Sequence, residues 1–554
     1  MSEHLLESER HSPFRARLVA GVLAAGFCAV GVKGGLVALS GTDSMAAMHQ
    51  TRGQDGVISK RADILDRNGE RLATSIPVYS MWADPGEVWD PGVTADELAA
   101  VFPDLDRDTL VRRLSNEDLD FVWLKREMTP VQRQTVFELS LEGVYFREES
   151  RRFYPQKTLG AHAIGFTDVD GVGIAGIEHS LNDRLSSSME PVYLTIDLSV
   201  QYSLEEELAA AALDSNAIGG AGIVIDARSG EILAMASWPT YDPNRRQDVT
   251  QDQLLDRTVG GVYELGSVFK PLTMAAGLDH GVVGLRETFD VRQPITIGAD
   301  TINDDHPLPR GSHATPTMII AHSSNIGTVQ IAQRIGPEKH RRFLETLGLM
   351  EAAPVELSGT AAPLLPAYWS PITEATVSFG HGMSVSPLAF AAAFSSFAND
   401  GTYNAPTLLL ERDPLEEVRE PRRVMSTPTS QVVVQMMRAT VTDGTGRQAD
   451  VPGYRVAGKT GTAEKVISGV YDKDKNITSF AAVFPADDPK YVVMIVLDEP
   501  KAQNGRAESA AFNAAPAVGR VIERIAPILD VMPYFEDIDP AALRVRTVSD
   551  RRSL

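Results

Sequence analysis

Five strand-like runs fall in two groups, and the long stretch 238–453 separates them. Ala221–Ala227 (AGIVIDA) and Glu231–Ser237 (EILAMAS) are joined by Arg228-Ser229-Gly230, a hairpin signal. Tyr454–Ala463, Ser479–Pro485 (SFAAVFP) and Tyr491–Asp498 (YVVMIVLD) follow far downstream. The intervening residues, about 250–450, read mostly as helices and loops, and Ala510–Leu529 is a long apolar-periodic helix. Two strands, many helices, three strands and a terminal helix predict an α+β domain with one largely antiparallel five-stranded sheet flanked by helices.

That domain is expected to span 191–535. It opens near Pro191 with the strand-like Val192–Asp197 and a helix over Ser199–Leu213. Residues 61–190 form a second unit of short strands and charged helical pieces, among them Thr94–Phe102 and Pro130–Leu139. Arg61–Ser75 reads as a hairpin turning at Asn68-Gly69. Gly160–Leu185 reads as a turn-rich loop leading to a helix. The 554-residue length suits two or three domains.

The amino terminus sets the compartment. Leu18–Val32 carries no charge, and after Lys33 the apolar run continues to about Leu39. About 20 residues cross a hydrocarbon core of about 30 Å, so 18–39 predicts one transmembrane helix with Lys33 snorkelling outward. Arg10, Arg15 and Arg17 hold residues 1–17 in the cytoplasm. A cleaved signal peptide is the alternative, but no clean small-x-small site follows. Phe27 is too bulky to precede a lipidated Cys28. Residues 40–60 read as a stalk and 536–554 as a C-terminal tail. The formal charge of -22 argues against nucleic acid as a partner. One cysteine excludes an intrachain disulfide, and no Cys/His cluster predicts a metal site. No metal and no cofactor are expected.

Three short motifs carry the chemistry: Ser267-Val268-Phe269-Lys270, Ser323-Ser324-Asn325 and Lys459-Thr460-Gly461-Thr462. Each alone is weak; Ser180-Leu181-Asn182 matches the second pattern and means nothing, because it precedes Ser267. Their joint order is informative. Lys270 lies three residues after Ser267, on the same helical face, and can reach its hydroxyl. Unpaired N–H groups at that helix start would stabilise a developing oxyanion. Burial and a second cation, Lys459, would lower the pKa of Lys270 and make it a base. Ser323 can relay a proton to a leaving amine. Asn325 offers a donor and an acceptor to a peptide backbone, and Lys459, Thr460 and Thr462 offer donors to a carboxylate. His162, His306, His322 and His381 lack metal-ligand spacing, although His381, between Gly380 and Gly382, could line the cleft. Glu178 and Arg61 read as a structural ion pair, and Glu411–Arg423 as a solvated loop.

With this trio the chain resembles the class B penicillin-binding proteins, in particular the monofunctional cell-division D,D-transpeptidases. The similarity covers about residues 15–530. DRNGERLATS resembles that family's pedestal, and RRFYP (Arg151–Pro155) and Gly165–Leu185 its junction block. Ser378–Leu388, Asp443–Ala449 and Ser479–Pro489 also resemble family signatures. Leu265 stands where the family usually has proline. The resemblance implies an elongated pedestal before a penicillin-binding transpeptidase domain. It implies Ser267 as nucleophile, Lys270 as base and Ser323 as proton donor to departing D-alanine. Asn325, Lys459, Thr460, Gly461 and Thr462 would bind substrate, and the backbone N–H groups of Ser267 and Thr462 would form the oxyanion hole.

The implied partners are peptidoglycan stem pentapeptides, β-lactams and division proteins, including a membrane glycan polymerase. The implied location is the bacterial inner membrane, single-pass, at the division septum with the catalytic domain in the periplasm. An elongation-specific transpeptidase, a D,D-carboxypeptidase or related hydrolase, and an inactive scaffold stay open. Residues 40–190 leave no room for a glycosyltransferase domain.

Overall fold

The computed structural model describes residues 61–534, except 248, 307, 309–312, 411–419, 468–469 and 503–507. The expected transmembrane helix, stalk and C-terminal tail lie outside the described residues, as does most of the Glu411–Arg423 loop. Among the described residues no helix is long and apolar enough to cross a membrane.

In the pedestal, β1 (Ile64–Leu65) turns at Asn68-Gly69 into the long β2 (Arg71–Ala83). Asp66 closes that turn by accepting the amides of Asn68 and Glu70, each at 2.8 Å. β2 pairs on its two edges with β3 (Val122–Met128) and β4 (Val144–Phe153), both antiparallel. Helices Pro91–Val101, Arg107–Leu114 and Pro130–Glu138 accompany these strands. Met81, Leu98, Leu110, Leu124 and Met128 share a small core here. β5 (Val192–Tyr193), expected to open the catalytic domain, instead pairs in parallel with β1 and extends the pedestal sheet.

The catalytic sheet has the order β8 (Ala457–Ile467), β9 (Val470–Phe484), β10 (Tyr491–Asp498), β6 (Gly219–Asp226), β7 (Ile232–Trp238). Every pair is antiparallel. These strands read as continuous apolar runs because both faces are covered. The side chains of Val492, Met494 and Val496 enter one core, which also holds Phe269, Leu272 and Phe390. Val493, Ile495 and Leu497 alternate into the other. α1 (Leu198–Asp214) and α5 (Ala514–Ile525) cover that second face. The expected terminal helix is thus a 3₁₀ turn, Ala510–Phe512, followed by α5.

The first core runs on without a break into pedestal residues Ile64, Leu72 and Tyr154. At the same junction Glu178, fully buried, accepts Arg61 Nε at 2.5 Å and Arg152 Nε at 2.6 Å. The expected Arg61–Glu178 pair therefore has a third member, supplied by the RRFYP segment. Asn182 Oδ1 accepts from Arg61 and from Gly173 N, and Ser180 Oγ donates to Glu356 O at 2.7 Å. The Ser180–Asn182 decoy is structural.

Candidate active site

Ser267 lies in a 3₁₀ turn, Gly266–Phe269, that runs straight into α2 (Lys270–Asp279). Lys270 and Lys459 are both fully buried, while Ser267 and Ser323 are partly open. Ser323 ends the turn between helix Pro316–Ala321 and α3 (Asn325–Ile335), and its φ is +62°. Non-glycine residues seldom adopt this left-handed conformation, and it concentrates at functional sites. Ser323 Oγ accepts from Lys270 Nζ at 3.0 Å and from Lys459 Nζ at 2.9 Å. With both lone pairs engaged, the hydroxyl proton is what Ser323 has left to offer.

Lys270 Nζ also donates to the Ser323 carbonyl. The Ser267 hydroxyl has no hydrogen-bond partner among the described residues. The direct Lys270–Ser267 bond expected from i,i+3 spacing is therefore replaced in the resting site. One residue, Ser323, presents two oxygens to the amine, which is the better acceptor set, and catalytic contacts often tighten only when substrate is bound.

Burial lowers the pKa of Lys270 to about 8, against the opposing pull of the Asp305 and Asp304 carboxylates. Burial lowers Lys459 well below the usual lysine range, and the charge on Lys270 adds to this. The repulsion expected to depress Lys270 thus falls on Lys459. Asp305 favours a proton on both amines, whereas Asp304 favours it on Lys270. Two ammonium groups sharing one hydroxyl are costly, so the pair carries one proton readily and two reluctantly.

Asn325 opens α3, and its Nδ2 donates to Asn303 O at 2.9 Å. Ser324 caps the same helix: its Oγ accepts from Gly327 N and donates to Asp304 Oδ2 at 2.9 Å. Asp304 Oδ1 accepts Ile326 N at 2.9 Å. Asp304 therefore fixes the Ser323–Asn325 segment and sits close enough to raise the pKa of Lys270. Sequence reasoning missed it; the signal was the Asn303-Asp304-Asp305 run in TINDDH.

Lys459 to Thr462 lie on β8, an edge strand of the catalytic sheet. Lys459 Nζ also donates to Thr460 O at 2.9 Å, and the hydroxyls of Thr460 and Thr445 are 2.7 Å apart. The hydroxyl of Thr462 accepts Ala510 N at 3.4 Å, so what Thr462 brings to the Ser267 turn is its backbone. A Cβ on Gly266 (φ +62°) would sit 2.6 Å from Thr462 O and 3.2 Å from Thr462 N. A Cβ on Gly461 would sit 2.2 Å from Leu265 O and 2.5 Å from Ser479 Oγ. Glycine before the serine is thus required by backbone approach as well as by the turn. Ser479 Oγ donates to Leu265 O at 3.0 Å, tying β9, the neighbour of β8, to the turn, and Leu265 itself is fully buried. Gly380 packs against Gly266: its carbonyl accepts Gly266 N at 3.1 Å.

The next loop shapes one wall. Glu264 Oε1 accepts Gly382 N at 3.0 Å, and Tyr471 OH donates to Glu264 Oε2 at 3.1 Å. His381 lies against Phe379 and Tyr471. Burial, with Lys270 adding, lowers its pKa to about 4, so it is neutral at pH 7. Among the described residues no cluster of ligating side chains could hold a metal.

A serine, two buried amines around a second hydroxyl, and a strand edge beside the serine's turn can carry out acyl transfer. The family described as the penicillin binding protein transpeptidase domain matches residues 220–517, and the penicillin-binding protein dimerisation domain matches residues 57–201. The chain belongs to the penicillin-binding protein transpeptidase family. It is 41% identical over 529 residues to a probable peptidoglycan D,D-transpeptidase FtsI of Caulobacter vibrioides, covering 91% of this chain and 87% of that one. It is 32% identical to the peptidoglycan D,D-transpeptidase FtsI of Escherichia coli K12, covering 86% and 85%. Penicillin binding protein 3 of Mycobacterium tuberculosis, solved with aztreonam, superposes with a TM-score of 0.68 at 29% identity, over 86% of this chain and 98% of that one.

Proposed function

We propose that this chain is a peptidoglycan D,D-transpeptidase that cross-links stem peptides at the division septum. The observation that carries the reading is the meeting of Lys270 and Lys459 on Ser323 Oγ, beside the turn that holds Ser267. Ser267 attacks the carbonyl of the D-alanyl-D-alanine bond and loses its proton to Lys270. The N–H groups of Ser267 and Thr462 receive the oxyanion. Ser323 gives its proton to the departing D-alanine amine. An amine from a second stem peptide then attacks the ester, forms the cross-link and frees Ser267. Asn325 and the edge of β8 hold the peptide, and Lys459 holds its terminal carboxylate. That carboxylate would stabilise a proton on Lys459, and the resulting charge would favour neutral, basic Lys270.

The same reading places residues 18–39 in the inner membrane and the catalytic domain in the periplasm, next to a membrane glycan polymerase and other division proteins. β-Lactams would acylate Ser267. The elongation-specific alternative shares the chemistry but lacks the support of the relatives named FtsI. Carboxypeptidase and transpeptidase activity separate on one experiment. The purified full chain is given glycan strands bearing pentapeptides, and products are resolved by mass. Dimeric muropeptides with released D-alanine are expected; tetrapeptide monomers alone would make the protein a hydrolase.

The pH dependence has a definite sign. Acylation by penicillin requires neutral Lys270, so its second-order rate constant should rise with pH and level off above about 8. Asp304 stabilises the ammonium form, so Asp304→Asn should move the midpoint to lower pH while slowing the reaction by loosening Ser324. A midpoint that stays fixed or rises would remove Asp304 from the electrostatics of the site.

A further inference from the structure

Outside the active site, the junction between pedestal and catalytic domain holds a cavity of about 600 Å³ with an unusual lining. Arg151 and Arg152 come from the end of β4, and Arg245 and Arg246 from the loop after β7; both pairs line it. The walls are held together: Asn244 Nδ2 donates to Tyr154 O at 2.9 Å, and Tyr154 N donates to Asn244 Oδ1 at 3.0 Å. Arg246 donates to Thr167 O and lies over the Phe166 ring. The chain as a whole is strongly acidic, so four arginines in one groove are not its background charge.

Two acids, Glu127 and Asp168, share the lining with the four arginines, so the cations are in excess. Glu127 pairs with Arg151 at 3.6 Å. Asp168 Oδ1 accepts the amides of Asp170 and Val172, each at 2.9 Å, within its own turn. Arg61 and Arg152 share the single carboxylate of Glu178, which leaves one positive charge uncompensated. Arg152, whose side chain is only 3% exposed, keeps one buried guanidinium nitrogen without a partner. The exposed side chain of Arg245 has no hydrogen-bond or ion-pair partner among the described residues.

We propose that this groove is a second binding site, for a carboxylate-bearing stretch of the peptidoglycan strand. The inference rests on the reading of the protein as one that acts on such strands. Guanidinium forks match carboxylates in a bidentate geometry. Arg151 from β4 and Arg245 and Arg246 from the loop after β7 are separate cationic points, with Arg152 adding buried charge behind them, and they suit a ligand with anionic groups spaced along a chain better than one compact ion. The volume falls in the range of sites that enclose a drug-sized ligand, about 300–1,000 Å³, which suits the carboxylate-bearing part of a stem peptide with the rest of the strand outside. Such a hold would keep a strand on the enzyme while its stem peptides pass through the cleft.

The test uses the full chain first acylated with penicillin, so that the active site is closed. Binding of a reduced disaccharide-tetrapeptide with free carboxylates is then measured by calorimetry, beside the same compound with amidated carboxylates and beside inorganic pyrophosphate. The acylated protein is expected to bind the free-carboxylate compound and to lose about tenfold or more in affinity on amidation or in Arg245→Glu. Arg245→Gln, which removes the charge without reversing it, should lose less, and both variants should acylate at the wild-type rate. Equal binding of the amidated compound, preference for pyrophosphate, or no effect of either variant overturns the proposal. Failure of the wild type to acylate would instead overturn the transpeptidase reading, so the two failures are distinct.

Discussion

Lys270→Ala should slow acylation by penicillin by about 10²- to 10⁴-fold, the range associated with loss of a general base. Ser267→Ala should abolish it. Because the two groups act on one proton transfer, the double variant should be no worse than Ser267→Ala alone. The structure adds a second expectation. Lys270 and Lys459 both donate to Ser323 Oγ, and the charge on Lys270 depresses Lys459, so removing Lys270 relieves the repulsion on Lys459. In Lys270→Ala, Lys459 should hold its proton to higher pH, and residual activity should lose the wild-type rise toward about 8. Stopped-flow acylation across pH measures both effects. A Lys270→Ala protein that acylates at the wild-type rate, with the wild-type rise in pH, would show that the lysine does not serve the serine.

The largest expected effect on stability lies at the junction, far from the reaction. Glu178 is fully buried and answers two buried arginines, Arg61 and Arg152, with Tyr154 OH 3.4 Å away. Breaking a buried ion pair by removing one partner costs about 3–5 kcal/mol, because it strands the other charge. Glu178→Ala strands two. The loss should be at or above that range, with the pedestal loosened from the catalytic core that shares Ile64 and Leu72. Glu178→Gln keeps acceptor and shape and should lose less. Denaturant unfolding of the three proteins gives the comparison. A Glu178→Ala protein as stable as wild type would mean that the arginines find solvent, and that the junction is held by apolar packing alone.

Local pattern carried the strands of the catalytic sheet and the three motifs. Val492 to Leu497 is an unbroken apolar run with a turn on either side, and such a run has few ways to fold other than as a strand covered on both faces. Ser267, Lys270, Ser323 and Lys459 were legible as one group because the proposed chemistry demands particular residue types in order, and the fold brings them together. What was hidden depends on contacts between distant segments. Val192–Tyr193 looks like any strand, and nothing local tells it to pair with Ile64–Leu65. Asp304 looks like a loop acid until α3 is placed beside it. The i,i+3 rule put Lys270 within reach of Ser267, but could not show that Ser323 would present two acceptors to the same amine. Gly461 read as part of a binding motif; its tight fit against Leu265 O is a fact of packing.

The central claim is that Ser267 is the nucleophile of an acyl-enzyme. Its most direct test is to treat the purified full chain with a fluorescent penicillin, digest it and identify the modified residue by mass. The account predicts one stoichiometric adduct on the hydroxyl of Ser267, absent from Ser267→Ala and strongly slowed in Lys270→Ala. An adduct on Ser323 or another residue, or none under conditions that label a known penicillin-binding protein, would contradict it.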